Sequence, residues 1–206
     1  MKTGKSAHRV IVVSGTSSAG KTSLVRKTAE LLGDAACLHF DDYQSVSVYP
    51  ADLGAWVASG ADPNEWRTPR LAADLRALRQ GQAVSLPDGK GIVEPQRYLV
   101  VEDPFGRSRR EMAPSVDYVV YLDIPLDLAM IRKIRRDISR FTPESGSSEV
   151  LKWINDFCEW YLEGSLREAY QAGNESARAS ADLVLDAMRP LDDLAREIVS
   201  RVENLS

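Results

Sequence analysis

The chain has 206 residues, of which 44% are hydrophobic and 27% are charged, and its formal net charge is −4. This length suits one α/β domain over residues 1–206, and the acidic balance argues against a general nucleic-acid or membrane-surface binder. The basic start of the chain lacks the apolar segment of a secretion signal and no apolar run is long enough for a membrane span, so we expect a cytoplasmic protein that is flexible over residues 1–8.

The first strong pattern is a buried strand, a glycine-rich loop and a helix in succession. Residues 9–14 read RVIVVS, a β-branched run typical of a strand that is buried on both faces. The loop after it has the spacing G-x-x-x-x-G-K-T, and apolar residues then recur at helical spacing as far as Gly33. Glycines let successive N–H groups turn inward around an anion, and the helix start adds a positive dipole end. We therefore predict that nucleotide phosphates are bound by this phosphate loop, Gly15, Thr16, Ser17, Ser18, Ala19, Gly20, Lys21, Thr22 and Ser23.

Two side chains of the phosphate loop carry specific chemistry. The mobile cation of Lys21 can reach the β- and γ-phosphates, and the hydroxyl of Thr22 can ligate Mg²⁺. A chance glycine-rich turn is the alternative, and the strand before the loop and the helix after it argue against that alternative. The pattern thus predicts nucleotide and Mg²⁺ binding, but it does not yet define a reaction.

A second buried strand ends in two acids and a tyrosine. Residues 35–40 read AACLHF, and Asp41, Asp42 and Tyr43 follow. Ligands of open parallel sheets bind beyond the carboxyl ends of the strands, where a carboxylate can accept a proton from an attacking hydroxyl. A turn or a helix cap is the alternative role for such aspartates. We predict that Asp41 is a catalytic base and a metal ligand, and that Asp42 and Tyr43 contact the substrate.

The middle of the chain is less regular. Residues 45–64 mix Gly, Pro and Ser with aromatics and predict a short helix with loops. Thr68 and Pro69 then mark the start of a helix that ends near Gly81. The stretch after Gly81 predicts a loop or a hairpin that reaches over the acceptor.

A third apolar strand ends in a further pair of acids. Residues 98–101 read YLVV, and Glu102 and Asp103 follow. An acid at a strand end beside a phosphate loop is well placed to hold Mg²⁺, directly or through water. Glu102 is the first candidate for this role, with capping of the next helix as the alternative. Arg107, a few residues later, is a candidate substrate contact.

A fourth strand, residues 116–122, leads into a helix that is rich in arginine. Arginines recur there every fourth residue and therefore stack along one side of the helix. A row of guanidinium groups can clamp phosphoryl oxygens, and a solvated face paired with neighbouring acids is equally open. We predict a lid over about residues 127–148. The candidate catalytic arginines in it are Arg132, Arg135 and Arg136, and Arg140 continues the row.

The last third of the chain completes an alternating order of strands and helices. We predict one long helix over residues 150–170, a fifth strand over residues 181–185 and an amphipathic helix from Pro190. This order favours a parallel sheet with helices on both faces. The predicted fold is therefore an α/β P-loop NTPase fold, with a five-stranded parallel sheet and a helical lid in one domain.

Several segments taken together resemble the uridine kinase and phosphoribulokinase group of P-loop kinases. In chain order they read CLHFDDYQ, DPNEWRTPRLAADLRALRQGQAV, YLVVEDPF, YVVYLDIPLDLAMIRKIRRDI and SADLVLDA. The resemblance implies that Asp41 is the catalytic base, that Glu102 contributes to the metal site and that ATP is the donor. The basic cluster before Arg136 is similar to the lid helix of the family.

Two stretches depart from the pattern of this family. Asp103 and Pro104 stand where a glycine usually follows the glutamate, and residues 87–97 lack the usual Tyr-Asp acceptor pattern. The donor side is unaffected by these changes. The identity of the acceptor therefore stays open.

The sequence favours an ATP-dependent kinase that phosphorylates a hydroxyl group of a small metabolite, nucleoside-like by resemblance. The SSAGK stretch also resembles antibiotic O-phosphotransferases, so a natural-product kinase is the alternative. A regulatory nucleotide-binding switch is the alternative from another class, and the missing N-K-x-D motif and the arginine helix argue against it. We expect a small-molecule acceptor and no nucleic-acid or membrane partner, and a homo-oligomer stays open.

Overall fold

The structure is a computed structural model that describes residues 8–139, 141 and 146–204. Within these residues, five parallel strands form the central sheet and two short antiparallel strands form a hairpin. The strands are β1 (Arg9–Ser14), β2 (Ala35–His39), β3 (Val84–Ser85), β4 (Ile92–Val93), β5 (Tyr98–Glu102), β6 (Tyr118–Asp123) and β7 (Leu183–Asp186). The order in the central sheet is β2-β5-β1-β6-β7, which confirms the predicted five-stranded parallel sheet.

Helices surround this sheet. They are α1 (Lys21–Leu32), α2 (Leu53–Ala58), α3 (Pro69–Arg79), α4 (Leu126–Ile138), α5 (Ser147–Leu162), α6 (Leu166–Ala179) and α7 (Leu191–Glu203). No helix among the described residues combines the length and the apolar character that a membrane crossing requires.

The core consists of two layers, because successive side chains of a strand point to opposite faces. Ile11 and Val13 of β1 pack in the layer that also holds α1 and α7. Val10 and Val12 pack in the other layer, against α3. All four side chains have no exposed surface. The β-branched run that predicted a doubly buried strand therefore forms the centre of the sheet.

The strand register brings three predicted site segments to one edge of the sheet. Glu102 of β5 lies opposite Val13 of β1 on one side and opposite His39 of β2 on the other. The phosphate loop begins directly after β1, and Asp41 follows β2. Residues that are far apart in the chain therefore meet at the carboxyl ends of neighbouring strands, as this type of sheet requires.

One predicted helix is wrong in its extent. The stretch over residues 150–170 forms two helices, α5 and α6, and α6 continues to Ala179. At Gly164, between them, an added Cβ would lie 2.5 Å from the carbonyl oxygen of Trp160. A side chain there would collide with the backbone, so the glycine permits the close turn that separates the helices.

Some predictions fall on residues outside the described part. These are residues 1–7 of the predicted flexible start, and residues 140 and 142–145 of the predicted lid. The described part of the lid prediction contains helix α4 and the start of α5.

Candidate active site

The phosphate loop owes its course to two glycines. Gly15 has φ = +138°, and an added Cβ would lie 2.7 Å from the carbonyl oxygen of Leu122. Gly20 has φ = +104° and stands directly before the first residue of α1. Both backbone conformations disfavour a side chain, and the first also lacks the room for one. The spacing of the motif thus reflects the backbone path that turns the loop around an open centre.

Lys21 is buried at the base of the phosphate loop. Its ammonium group donates a hydrogen bond to the carbonyl oxygen of Thr16 at 2.9 Å and lies 3.9 Å from Oε1 of Glu102. Burial lowers the pKa of Lys21, and the negative charges of Glu102 and Asp41 oppose that change. The lysine is therefore a cation that neighbouring carboxylates stabilise inside the cleft.

Glu102 is the centre of a small polar cluster. Its Oε2 accepts a hydrogen bond from the hydroxyl of Thr22 at 2.8 Å and lies 3.1 Å from Nδ1 of His39. Burial raises the pKa of Glu102, but the hydrogen bonds from His39 and Thr22 and the charge of Lys21 outweigh burial, so the net change lowers the pKa. Glu102 is thus held as a carboxylate.

The oxygens of Glu102 and Thr22 fit a Mg²⁺ ion that takes its other ligands from phosphates and water. Mg²⁺ in nucleotide sites commonly uses one or two protein oxygens in this way. Among the described residues there is no cluster of three His, Cys, Asp or Glu side chains that could hold a metal by itself. The contact between His39 and Glu102 could not be predicted from the sequence, because only the register of β2 and β5 reveals it.

Of the predicted residues Asp41, Asp42 and Tyr43, Asp41 lines the cleft. It lies in the 3-10 helix Phe40–Val46, and its Oδ1 accepts a hydrogen bond from Nε2 of Gln44 at 2.9 Å. Its side chain is solvent-exposed, so a carboxylate at this place is accessible to a ligand.

The other two residues turn away from the cleft. Asp42 lies 3.3 Å from the ammonium group of Lys90 in the β3-β4 hairpin. Tyr43 is fully buried, and its hydroxyl donates to Oδ2 of Asp74 at 3.1 Å. A 3-10 helix turns by about a third of a circle per residue, so three consecutive side chains cannot share one direction. The predicted substrate contacts of Asp42 and Tyr43 are therefore replaced by structural ones.

The cleft at the carboxyl ends of the strands has a volume of about 860 Å³. Residues from the phosphate loop, from the ends of β2 and β5, and from α2, α4, α5 and α6 line it. The predicted site residues that the cleft brings together are Gly15, Thr16, Ser17, Ser18, Gly20, Lys21, Thr22, Ser23, Asp41, Glu102, Arg132 and Arg136. Ala19 is not among them, because its side chain packs into the core.

Helix α4 presents some of its cations to the cleft and not others. Arg132, Lys133 and Arg136 line the cleft, whereas Arg135 does not. At 100° per residue, positions 132 and 136 share a face of the helix from which position 135 is displaced. Lys133 was missed by the sequence reasoning, which followed arginines alone.

Arg107 lies outside the cleft lining. Its guanidinium donates to both carboxylate oxygens of Asp182, at 3.0 and 2.8 Å, and to the carbonyl oxygen of Asp117 at 3.2 Å. These contacts tie the loop after β5 to the residues just before β6 and β7. The structure thus gives Arg107 a structural position and not the predicted substrate contact.

Helix α6 closes one side of the cleft. The residues it contributes are spaced by three or four positions, so they form one face of the helix. They are Leu166, Ala169, Tyr170, Gly173 and Asn174. Burial raises the pKa of the Tyr170 hydroxyl, and its hydrogen bond with Ser17 of the phosphate loop opposes that change. The helix is therefore tied directly to the loop.

Four of the aromatic side chains that line the cleft form what we call the acceptor wall: Phe40, Trp56, Trp66 and Phe105. Trp160 of α5 and Tyr170 of α6 also line the cleft. Trp66 lies at the centre of the wall, and its ring centroid is 5.7 Å from that of Trp56 and 5.5 Å from that of Phe105. Trp56 belongs to the stretch of residues 45–64 in which the sequence showed aromatics among Gly, Pro and Ser. Trp66 and Phe105 carried no signal in the sequence, because they come from separate loops.

A buried ion pair lies behind the acceptor wall. The guanidinium of Arg109 contacts the carboxylate of Asp103, and neither side chain has exposed surface. Arg109 also donates to the carbonyl oxygen of Trp66 at 2.9 Å and to the hydroxyl of Thr68 at 2.7 Å. Its guanidinium carbon lies 5.8 Å from the ring centroid of Phe40 and 5.4 Å from that of Phe105. The pair therefore fixes several parts of the wall at once.

A second, smaller cleft of about 170 Å³ adjoins the phosphate loop on the side of α7. Gly20 and Ser23 line it on one side, and Ala187 and Arg189 line it on the other. Arg132 of α4 lines both clefts. The two clefts thus meet at the phosphate loop.

No protein-family model matches the chain. The chain is 23% identical over 188 residues to the uridine kinase of Borrelia duttonii (strain Ly). The aligned region covers 86% of this chain and 85% of that protein. It is 26% identical over 193 residues to the uridine kinase of Pasteurella multocida (strain Pm70), with 85% and 84% covered.

Among solved structures, the shikimate kinase from Acinetobacter baumannii in complex with shikimate superposes with a TM-score of 0.54. The two are 19% identical, and 96% of each chain is covered. At this identity the likeness concerns the fold alone, and it agrees with the parallel sheet and phosphate loop described above. The curated relatives named uridine kinase support a kinase and not a regulatory switch. The chain is therefore a P-loop kinase related to the uridine kinases, an ATP-dependent enzyme that acts on a small molecule.

Proposed function

We propose that the protein transfers the γ-phosphate of ATP to a hydroxyl group of a small, nucleoside-like metabolite. The observation that carries this proposal is the position of Asp41, whose accessible carboxylate lines the same cleft as the phosphate loop. The relatives named uridine kinase support the nucleoside-like class of acceptor.

On the donor side, the phosphate loop and Lys21 bind the triphosphate. The small cleft beside Gly20 and Arg189 is our candidate for the base and ribose of the nucleotide. Glu102 and Thr22 would hold Mg²⁺, which when bound neutralises phosphate charge. The buried Lys21 ammonium adds a positive charge that needs no rearrangement during the reaction, and such preorganised charge supplies much of the rate in phosphoryl transfer.

On the acceptor side, Asp41 accepts the proton of the attacking hydroxyl. A base must lie within hydrogen-bond reach of that proton, and the hydrogen bond from Gln44 holds the carboxylate in place. Because Gln44 occupies Oδ1, the second oxygen of Asp41 is the one that we assign to the acceptor. Arg132 and Arg136 stabilise the charge that develops on the transferred group.

The test is acceptor-stimulated release of ADP. The purified protein is incubated with ATP, Mg²⁺ and a panel of nucleosides, sugars, hydroxy acids and hydroxylated natural products, and the phosphorylated product is identified by mass spectrometry. We expect at least one hydroxyl compound to raise ADP release at least tenfold above the background hydrolysis. Tight ATP binding without stimulation by any acceptor would contradict the proposal.

A natural-product kinase is a second candidate, which the acceptor wall favours. Four aromatic side chains line this part of the cleft, two of which, Trp56 and Phe105, are almost fully buried, and an apolar lining suits an aromatic natural product at least as well as a nucleoside. The same panel separates the two candidates, since it reports the relative kcat/KM of each class.

A further inference from the structure

His39 is a polar side chain beside the candidate site to which the proposed function gives no role. Its Nδ1 lies 3.1 Å from Oε2 of Glu102, and 17% of its side chain is exposed. An ionised carboxylate has no hydrogen to donate, so Nδ1 carries the hydrogen and donates it to Glu102. His39 is not among the described residues that line either cleft. It can therefore act on a bound nucleotide only through its partner.

The hydrogen bond between His39 and Glu102 is not needed to hold β2 in the sheet. The backbones of β2 and β5 are paired in register from Ala35, opposite Tyr98, to His39, opposite Glu102. Side chains at paired positions of neighbouring strands point to the same face, which brings His39 and Glu102 together. The strand pairing does not depend on this side chain, so its hydrogen bond acts on the orientation of the Glu102 carboxylate.

Two donors converge on one oxygen of Glu102. Oε2 accepts from the hydroxyl of Thr22 in α1 at 2.8 Å and from His39 in β2 at 3.1 Å. Oε1 lies 3.9 Å from the ammonium nitrogen of Lys21, beyond hydrogen-bond distance. The last torsion of a glutamate has a broad, twofold preference, so the side chain alone does not fix the plane of its carboxylate. The two donors, which come from different elements, therefore fix it.

The orientation of Glu102 matters for Mg²⁺, because this ion demands ligand geometry close to a regular octahedron. Thr22 is itself a candidate ligand, so its hydroxyl serves both the ion and the carboxylate. His39 donates to Glu102 and has no such second task. Groups that hydrogen-bond a metal ligand in this way orient it and contribute to the affinity for the metal.

We propose that His39 is a positioning residue of the Mg²⁺ site, which fixes Oε2 of Glu102 and leaves Oε1 for the ion or one of its water ligands. This inference rests on the Mg²⁺ site of the proposed function and goes beyond it, since it holds for any acceptor. The active group is the N–H at Nδ1. Asparagine carries an N–H at a similar distance from the backbone and should replace histidine, whereas leucine has no donor and should not.

Binding of Mg²⁺ to the nucleotide complex tests the proposal without an acceptor. The protein is held in excess over a non-hydrolysable ATP analogue, so that the nucleotide is bound, and Mg²⁺ is titrated in by calorimetry. His39→Leu should raise the Kd for Mg²⁺ about 10–100-fold, and His39→Asn should stay within about threefold of the wild type. The Kd for the analogue without metal, measured in EDTA, should change by less than about threefold in both variants.

His8 offers a matched control, since the chain has two histidines. Nδ1 of His8 lies 2.7 Å from the carbonyl oxygen of Gln96, and both residues precede their strands, at the end of the sheet away from the phosphate loop. His8→Leu should therefore leave the Kd for Mg²⁺ within about threefold of the wild type. If His39→Leu does not fold, His39→Phe removes the same donor and keeps a flat ring.

Three results would overturn the role of His39. They are an equal Kd for Mg²⁺ in the wild type and in His39→Leu, an equal rise in His39→Asn and His39→Leu, and an equal loss of affinity for the metal-free analogue. The last result would indicate a general disturbance of the site. Failure of the wild-type complex to bind Mg²⁺ in a saturable manner would contradict the Mg²⁺ site of the proposed function as well, so the two failures can be told apart.

Discussion

The phosphate loop and the acceptor wall line one cleft, but the chain encodes them in opposite ways. The loop is a run of nine consecutive residues, 15–23, whose glycines each meet a local backbone requirement. The wall is assembled from residues of four separate segments, and the buried Arg109 holds Trp66, Phe40 and Phe105 together. The donor site can therefore be recognised by local spacing, whereas the acceptor site depends on the tertiary fold.

Asp41 stands on the boundary between the two regions, so its replacement should give the largest effect. Asp41→Asn keeps the shape of the side chain and removes the proton acceptor, and we expect kcat to fall by about 10²–10⁴-fold. Affinity for ATP should change by less than about threefold. Steady-state kinetics and isothermal titration with ATP measure the two quantities.

The control for this substitution is Asp42→Asn. Asp42 pairs with Lys90 and does not line the cleft, so the kcat of the Asp42→Asn variant should stay within about threefold of that of the wild type. If Asp41→Asn also turned over normally, the base would have to be another group.

A substitution that disturbs only the backbone of the phosphate loop should weaken ATP binding. Gly15→Ala combines an unfavourable φ of +138° with a contact of 2.7 Å to the carbonyl oxygen of Leu122. We expect ATP affinity to fall at least about tenfold and the melting temperature to drop by several degrees. Calorimetry and nucleotide titration measure these changes.

Gly33→Ala separates strain from collision. Gly33 also has a positive φ, +75°, but an added Cβ would meet nothing within 4 Å. This variant should lose about 1 kcal/mol of stability and keep its affinity for ATP. Equal ATP affinity in the two variants would show that the close approach at Gly15 does not shape the loop.

The arginines of α4 should differ according to their face. Arg136 lines the cleft and Arg135 does not, so we expect Arg136→Ala to lower kcat by about 10–100-fold and Arg135→Ala by less than about twofold. Similar losses in both variants would mean that the helix changes its orientation during turnover. The kcat values of both variants are measured by the release of ADP.

The smallest expected effect concerns Tyr43. Tyr43→Phe removes the hydrogen bond to Asp74 in the core, and we expect a loss of about 1 kcal/mol in the free energy of unfolding. The acceptor KM should stay within about twofold, because the ring does not line the cleft. Denaturant unfolding gives the first quantity, and a large rise in acceptor KM would restore Tyr43 as a substrate contact.

Much of the fold could be predicted from local patterns. The β-branched run of β1 is fully explained by its burial on both faces, and Gly33 ends α1 as expected. The prediction failed at Gly164, where apolar spacing continues through a break between α5 and α6. Periodicity reports which face of a helix is buried, and two helices that bury similar faces produce one uninterrupted pattern.

The positions of the donor-side residues follow from local patterns for the same reason. Lys21 and Thr22 have positions fixed by the loop itself, and Glu102 follows from the rule that parallel strands end together. The contact between His39 and Glu102 requires knowing that β2 and β5 are neighbours. Arg107 and Tyr43 illustrate the limit, since sequence proximity to a strand end does not fix the direction of a side chain.

The buried pair of Asp103 and Arg109 has a consequence for how such a chain can diverge. Removing either partner alone leaves an unpaired charge inside the protein. This lowers the free energy of unfolding by about 3–5 kcal/mol, which is a large part of the stability of a typical domain. Replacing both at once by well-packed apolar residues is close to neutral. We therefore expect positions 103 and 109 to be inherited as a unit among descendants of this gene, so that a new acceptor preference arises by a paired exchange and not through single intermediates.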